Sequence, residues 1–143
     1  MLEDYVVVIG GANIDIIGTP YSKLIYKSSN PGKTNLSLGG VARNIAENLS
    51  RLGVKVEFIT VLGSDSYAEE IKRNCNELNI SLKHSLIIEN ERTSTYICIN
   101  DETGEMQLAL SDMEIYKYIT PEFLKEKLEI INNSRVCVVD TNI

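Results

Sequence analysis

A pair of glycines followed by a short amphipathic segment limits the fold of this 143-residue chain more than any other feature. Gly39 and Gly40 predict a turn that opens a helix over Ala42–Leu52, and Gly53 ends that helix. Asn44 falls near its first turn. Glycine lets a backbone approach a small ligand closely, and an amide can bond the ligand's hydroxyls. The pattern therefore predicts a ligand-binding turn at a helix start; a plain glycine turn is the alternative.

The two faces of this predicted helix differ in polarity. The face expected to be buried carries apolar residues only: Val41, Ala42, Ile45, Ala46, Leu49 and Leu52. Asn44 lies beside Glu47 and Arg51, which is typical of a solvated face. Arg43 could contact an anion, but charged side chains are mostly exposed, so we expect it in solvent.

Strands and helices alternate along much of the chain. Apolar runs rich in β-branched residues predict buried strands at Tyr5–Ile9, Val54–Leu62 and Arg135–Val139. A second amphipathic helix is predicted over Tyr67–Leu78, and a third from Thr120 to about Ile131, with Thr120 as its N-cap. This order predicts an α/β fold with a parallel sheet covered by helices.

Shorter strand-like segments occupy the remaining sequence. Their approximate positions are Ile14–Ile17, Asn35–Leu38, Leu82–Ile88, Thr93–Ile99 and Met106–Leu110. A proline- and glycine-containing loop is expected over Tyr21–Lys33, and Asp101–Gly104 predicts a hairpin turn between the last two strands.

Charge and cysteine content exclude several classes of protein. The net charge of −6 disfavours binding to nucleic-acid backbones or to anionic membranes. Cys75, Cys98 and Cys137 are far apart, and His84 is the only histidine, so neither a zinc site nor a disulfide framework is predicted. Reduced thiols in a cytoplasmic protein are the simplest interpretation.

Polar residues follow the first predicted strand, after Gly10-Gly11. Asn13 offers both donors and an acceptor, and Asp15 offers two acceptor oxygens, so together they suit a diol. Ligands of open α/β sheets bind at this end of the strands. The alternative is a strand-to-turn transition in which both side chains bond local backbone.

Two further aspartates follow apolar strands. Asp65 and Asp140 could each act as an acid, a base or a metal ligand, but helix capping is favoured for Asp65. No Walker A motif or G-x-S-x-G motif occurs. We predict no metal site in these residues.

The run Gly39-Gly40-Val41-Ala42-Arg43-Asn44-Ile45-Ala46, followed by Gly53 and Gly63, resembles the first signature of the PfkB (ribokinase-like) family of small-molecule kinases. The similarity extends over all 143 residues, as in the N-terminal part of such a kinase. Within the family, the segments that most resemble pseudouridine kinases are Asn30–Lys33, Gly40–Leu49 and Leu108–Met113.

The resemblance implies a Rossmann-like (ribokinase-like) parallel sheet with helices, plus a small β-sheet lid. The core would comprise residues 5–11, 41–90 and 120–143, and the lid strands about 14–38 and 93–111. It also implies a set of substrate-binding residues: Asn13, Asp15, Gly39, Gly40 and Asn44 around the ribose hydroxyls, Tyr96, Cys98 and Leu110 from the lid, and Asn142.

The resemblance implies transfer of the γ-phosphoryl group of ATP, with Mg²⁺, to a primary hydroxyl of a sugar or nucleoside. Pseudouridine or another ribosyl compound is the expected acceptor. In the family the catalytic base is an Asp in a C-terminal glycine-rich motif, and no such motif occurs in these residues. We therefore expect no catalytic residue and no nucleotide site in this chain, and no activity from the chain alone.

Other functions fit part of the pattern. A non-catalytic sugar- or nucleoside-binding module would use the same Asn, Asp and Gly residues without a donor site. A dinucleotide-binding Rossmann domain fits poorly, because the third glycine and the immediate helix of its fingerprint are missing. A homodimer formed through the lid is a further expectation, since the lid sheet has edges that can pair.

Overall fold

A computed structural model describes residues 4–143, whose central element is a four-stranded parallel sheet. Strand β1 (Val6–Ile9) pairs with β4 (Val56–Ile59) on one side and β10 (Val136–Val139) on the other, and β4 pairs with β6 (Ile80–Ser81). The apolar runs VVVI and VEFI suit strands that are covered on both faces. The predicted parallel α/β sheet is confirmed.

Helices cover both faces of this sheet. Helices α1 (Val41–Arg51) and α2 (Ser66–Glu77) pack on one face, where the main buried cluster includes Val8, Ala42, Ala46, Val56, Phe58, Ala68, Ile71 and Cys75. Helices α3 (Pro121–Lys125) and α4 (Leu128–Asn133) pack on the other, against Val7, Ile9 and Ile59. Alternate residues of β1 therefore enter opposite cores, as the two-residue period of a strand requires.

A second four-stranded sheet stands beside the first. It consists of β2 (Asn13–Pro20), β3 (Gly32–Gly39), β8 (Thr95–Asn100) and β9 (Met106–Asp112), in the order β3-β2-β8-β9. Two antiparallel hairpins, β2–β3 and β8–β9, join through the parallel pair β2–β8. The segments predicted for the lid thus form one sheet, with β2 and β3 longer than expected. The turn predicted at Asp101–Gly104 is also present, closed by a hydrogen bond from Asp101 N–H to the Glu105 carbonyl at 2.8 Å.

The single strand predicted over Val54–Leu62 is wrong. The chain leaves the main sheet at Thr60, and the next residues form β5 (Val61–Leu62), which pairs with β7 (Leu86–Ile87) in a separate two-stranded sheet. Ser85 accepts a hydrogen bond from the Thr60 backbone N–H at 3.0 Å, so a side chain replaces the sheet partner at this break. The hydrophobic pattern of the sequence gives no signal for such a change of strand partner.

Other predicted elements differ in length or burial. The strand expected over Leu82–Ile88 pairs only at β7, and the third helix divides into α3 and α4. A 3₁₀ helix at Glu114–Tyr118 was not predicted. The strand expected to be buried at Arg135–Val139 is largely exposed, because β10 is the outermost strand of its sheet and pairs only with β1 among the strands described.

Three predictions about α1 also need correction. Val41 and Leu52 are 52% and 79% exposed, because they lie at the two ends of the helix, beyond its contact with the sheet. Arg43, expected in solvent, is buried with 6% exposure because its guanidinium lies between α1 and α2. Within residues 4–143, none of the helices combines the length and apolar character needed to cross a membrane.

Candidate acceptor-binding site

A cleft of about 610 Å³ opens at the carboxyl ends of β1 and β10, between the two larger sheets. Its lining residues, called the cleft residues below, are Asn13, Asp15, Gly40, Val41, Asn44, Tyr96, Ser111, Met113, Tyr116, Asp140 and Asn142. Most of the residues predicted for substrate binding are therefore brought together at one place. The volume suits a small molecule.

Asp15 projects into the cleft from β2. The Nδ2 atom of Asn13 donates a hydrogen bond to Asp15 Oδ1 at 2.6 Å, and Asn13 itself is 4% exposed. Asp15 pairs in register with Tyr96 of β8, which in turn pairs with Ser111 of β9. Paired residues share a face of a sheet, so these three side chains form a row along one wall of the cleft.

Gly39 makes room for the Asp15 carboxylate. It ends β3 opposite Asn13, and a Cβ atom at this position would lie 2.6 Å from the carboxyl carbon of Asp15. Real Cβ contacts are not this short. Gly39 thus affects the cleft through Asp15 and does not line it.

Gly40 allows two backbone segments to meet. Its φ of 99° is in the region that favours glycine, and a Cβ atom there would lie 2.8 Å from the Cα atom of Ala12. The Arg43 backbone N–H donates to the Gly11 carbonyl at 3.2 Å. The start of α1 is therefore held directly against the turn that follows β1.

Tyr116 forms the floor of the cleft and was not identified from the sequence. Its hydroxyl donates to the Ala12 carbonyl at 3.1 Å, and the Ser94 hydroxyl donates to the same carbonyl at 2.7 Å. Burial raises the pKa of Tyr116 to about 12, so the hydroxyl stays protonated at neutral pH. No local sequence signal points to Tyr116, because its partners are distant along the chain.

Asn142 lies in the cleft as predicted, together with Asp140. Asp140 is 7% exposed, and its Oδ1 accepts hydrogen bonds from the backbone N–H and the Nδ2 atom of Asn142. Asp65 is elsewhere: it caps α2 by accepting from the Ala68 backbone N–H at 3.0 Å. The preference for a capping role of Asp65 is confirmed.

Cys98 and Leu110 are not brought to the cleft. Leu110 pairs with Ile97 and therefore lies on the face of the sheet opposite the row of Tyr96 and Ser111. Cys98 shares the face of Tyr96 but is 7% exposed, and its thiol lies 3.1 Å from Asn100 Oδ1. The neighbour of Leu110, Ser111, occupies the position expected for Leu110, and strand alternation is the signal that could have identified it.

Metal-binding groups do not cluster within residues 4–143. No set of three or more His, Cys, Asp or Glu side chains there is arranged to hold a metal ion. The cleft carries the carboxylates of Asp15 and Asp140, and its lining includes neither Lys nor Arg.

A comparison with family models matches residues 3–143 to the model described as pfkB family carbohydrate kinase. The chain belongs to the pfkB family of carbohydrate kinases. The expectation drawn from the Gly39–Gly63 signature is thereby confirmed.

Individual relatives agree with this assignment. The chain is 43% identical to the pseudouridine kinase of Escherichia coli over 99% of its own length and 45% of that protein. It resembles the structure of a carbohydrate kinase from Agrobacterium tumefaciens with a TM-score of 0.89 and 32% identity, covering 99% of this chain and 46% of that one. An Arabidopsis thaliana ribokinase complexed with ribose and ATP has the same fold, with a TM-score of 0.82, 20% identity and coverage of 97% and 45%. The chain thus spans less than half the length of these relatives.

Proposed function

We propose that the full-length protein is an ATP-dependent kinase that phosphorylates a primary hydroxyl of a sugar or nucleoside, and that the cleft binds this acceptor. The observation that carries the proposal is the convergence of Asp15, Asn13 and Asn44 on one cleft beside Gly40. A carboxylate that accepts and amides that donate are complementary to neighbouring hydroxyl groups. Family membership supports phosphoryl transfer as the reaction.

The charge of the cleft favours an acceptor without a phosphate group. Asp15 and Asp140 supply negative charge, and the cleft lining lacks the cations that bind phosphate best. A neutral ribosyl compound fits this set better than a sugar phosphate. We favour pseudouridine in particular, because a pseudouridine kinase is 43% identical to the chain.

The described residues act on the acceptor by binding and orienting it. Orientation brings the attacking hydroxyl into line with the donor phosphate, which is a large part of catalysis in phosphoryl transfer. ATP and Mg²⁺ would supply the phosphoryl group and neutralise its charge. The glycine-rich motif that carries the family's catalytic Asp does not occur in these residues, so we assign neither group to this chain and expect residues 1–143 alone to be inactive. We favour a cytoplasmic location for the protein, because the proposed reaction depends on ATP and because the thiols are free at Cys75, Cys98 and Cys137.

The second sheet is also proposed to mediate a homodimer. Its face away from the cleft carries Leu36, Leu108 and Leu110, which are 54%, 66% and 60% exposed. The register places Ile16 and Ile97 between Leu36 and Leu110 on the same face. A contiguous apolar sheet face of this kind is typical of a protein–protein contact.

The test is phosphoryl transfer by the purified full-length protein. With Mg·ATP, we expect phosphorylation of pseudouridine to exceed that of ribose and uridine in kcat/KM, and the Asp15→Asn variant to lose it. An inactive chain of residues 1–143 prepared in parallel would agree with the assignment. If the full-length protein binds a ribosyl compound tightly but transfers no phosphoryl group to it, this result would contradict the kinase assignment and favour a non-catalytic binding module.

A further inference from the structure

The guanidinium of Arg43 is buried between α1 and α2 and bonds three side chains. Nη1 donates to Asn44 Oδ1 at 3.0 Å, and Nη2 donates to Asn74 Oδ1 of α2 at 2.7 Å. Arg43 also forms an ion pair with Glu47, one turn further along α1. The charge is thus neutralised where it is buried, and the side chain is held from two helices.

A guanidinium fixes which end of an amide it touches. Arginine has five N–H donors and no acceptor, so it can bond the Oδ1 atom of Asn44 but not the Nδ2 atom. Rotation of the Asn44 amide by 180° would bring two sets of donors together. The contact therefore holds Nδ2 on the side away from Arg43. In the part of the chain that the structure describes, this Nδ2 donates to no protein acceptor, and Asn44 lines the cleft.

We propose that Arg43 is a positioning residue that orients Asn44 so that the cleft presents an amide donor to the acceptor substrate. The inference rests on the proposed function and extends it to the specificity of the cleft. Asp15 accepts hydrogen bonds and Asn44 donates them, so a ligand group that contacts both side chains must both donate and accept. A hydroxyl meets this requirement, whereas a hydrogen at the same ring position does not.

The alternative role for Arg43 is to tie α1 to α2. Both roles predict lower stability when the guanidinium is removed, so stability cannot separate them. Selectivity between a ribosyl acceptor and its monodeoxy analogues separates the two roles, because only the positioning role links Arg43 to the hydroxyl that Asn44 bonds. Arg51 provides a matched control: it also pairs with Glu47, at 2.7 Å, but is mostly exposed and makes no hydrogen bond to Asn44.

The experiment measures dissociation constants of pseudouridine and its 2′- and 3′-deoxy analogues for the full-length protein by calorimetry. In the wild type, we expect one of the two hydroxyls to contribute about threefold to tenfold in affinity through Asn44. Asn44→Ala identifies that hydroxyl by abolishing its contribution. Arg43→Met is expected to reduce the contribution below about twofold, and to have no further effect on it in the Asn44→Ala background. Arg51→Met should leave it unchanged.

Several outcomes would overturn the inference. If Arg43→Met melts cooperatively but keeps the wild-type selectivity, Arg43 only connects the helices, while the proposed function stands. If the wild type binds pseudouridine but discriminates against neither analogue, Asn44 makes no hydrogen bond that depends on a ligand hydroxyl, and the inference is wrong. If the wild type binds no ribosyl compound, the proposed function fails first. Should Arg43→Met not fold, Asn74→Ala removes one of the two amide contacts and must weaken the same selectivity.

Discussion

The hydroxyl of Tyr116 donates a hydrogen bond to the backbone carbonyl of Ala12 at 3.1 Å, across 104 residues of sequence. Ser94 bonds the same carbonyl at 2.7 Å from the start of the second hairpin. Three separate parts of the chain therefore meet at the turn that carries Asn13 into the cleft. Because Asn13 bonds Asp15, this contact fixes the wall of the cleft as well as its floor.

We expect the Tyr116→Phe substitution to show that this contact contributes to the free energy of unfolding in a pH-dependent way. At neutral pH the variant should be less stable by about 0.5–1.5 kcal/mol, the usual contribution of one hydrogen bond. Burial raises the pKa of Tyr116 from 10.0 to about 12, so the unfolded state loses this proton first as the pH rises. The contribution of the hydroxyl is therefore present below pH 10 and declines between pH 10 and 12.

The measurement is urea unfolding of wild type and Tyr116→Phe at pH 7, 9 and 11. The stability advantage of the wild type should shrink at pH 11. Cys75, whose pKa burial raises to about 11, is present in both proteins and cancels in the difference. An advantage that stays constant over this range would contradict the buried, protonated state of Tyr116.

Gly39→Ala is expected to impair acceptor binding more than folding. The added methyl group would meet the Asp15 carboxyl group, whose carbon would lie 2.6 Å away. A side chain can rotate, so the fold can accommodate the methyl by displacing the carboxylate from the cleft. We expect a change in melting temperature of only a few degrees and at least a tenfold increase, about 1.4 kcal/mol, in the dissociation constant. In the Asp15→Ala background, Gly39→Ala should have little further effect on binding; a large additional loss would contradict this explanation.

Gly40→Ala should destabilise the fold far more than Gly53→Ala. Both glycines have positive φ, 99° and 82°, so alanine is strained at each by about 1–2 kcal/mol. They differ in surroundings: a Cβ at Gly40 would press against the backbone at Ala12, whereas one at Gly53 would meet nothing within 4 Å. Backbone atoms cannot rotate away, and overpacking adds about 1–3 kcal/mol. Equal losses of unfolding free energy in urea titrations would show that crowding at Gly40 is relieved elsewhere.

Local signals were sufficient to predict the start of α1 and the polar residues after β1. Glycines that flank a helix, and Asn or Asp after a strand, are local patterns that span only a few positions. Asp15 and Asn44 could therefore be identified from the sequence as candidate site residues. Leu110 was expected at the site because the family resemblance implied it. Which of two adjacent strand residues faces the cleft depends on strand register, and the pairing of Ser111 with Tyr96 places Ser111 there.

Long-range contacts explain most of what the sequence did not predict. Arg43 was expected in solvent because charged side chains are mostly exposed, but its partner Asn74 lies on α2, 31 residues away. Tyr116 likewise depends on Ala12. A buried arginine or tyrosine is satisfied by groups that only the folded chain brings together, and no local pattern encodes such a partner.

Dimer formation through the second sheet should depend on Leu110. Leu110→Lys places a charge in the middle of the apolar face opposite the cleft, and a buried unpaired charge is strongly unfavourable. We expect the full-length protein to be a dimer by sedimentation and the variant to be a monomer at the same concentration. Leu52→Lys is the control, since Leu52 is 79% exposed at the end of α1 and outside this face. A wild-type monomer, or a Leu110→Lys dimer, would contradict the proposed contact.

Asp15→Asn should separate binding of the acceptor from the integrity of the fold. The substitution keeps the size of the side chain but removes the negative charge and replaces one acceptor oxygen with a donor. The remaining amide oxygen can still accept from Asn13 Nδ2, which in the wild type donates to Asp15 Oδ1 at 2.6 Å, so the new Nδ2 group faces the ligand. A hydroxyl that donates to the carboxylate would then lose a charge-assisted hydrogen bond. We expect the dissociation constant of the acceptor to rise about 10- to 100-fold, because hydrogen bonds to charged groups contribute about 1.5–3 kcal/mol.

The Asp112→Asn variant is the control, because it makes the same chemical change on β9. Asp112 is exposed, pairs with Thr95 and lies on the face opposite the cleft, so this variant should bind the acceptor like the wild type. Calorimetric titration of both variants with pseudouridine, alongside their thermal melting curves, checks the prediction: equal losses of affinity in the two would indicate a general effect of charge, and unchanged affinity in Asp15→Asn would remove Asp15 from the binding site.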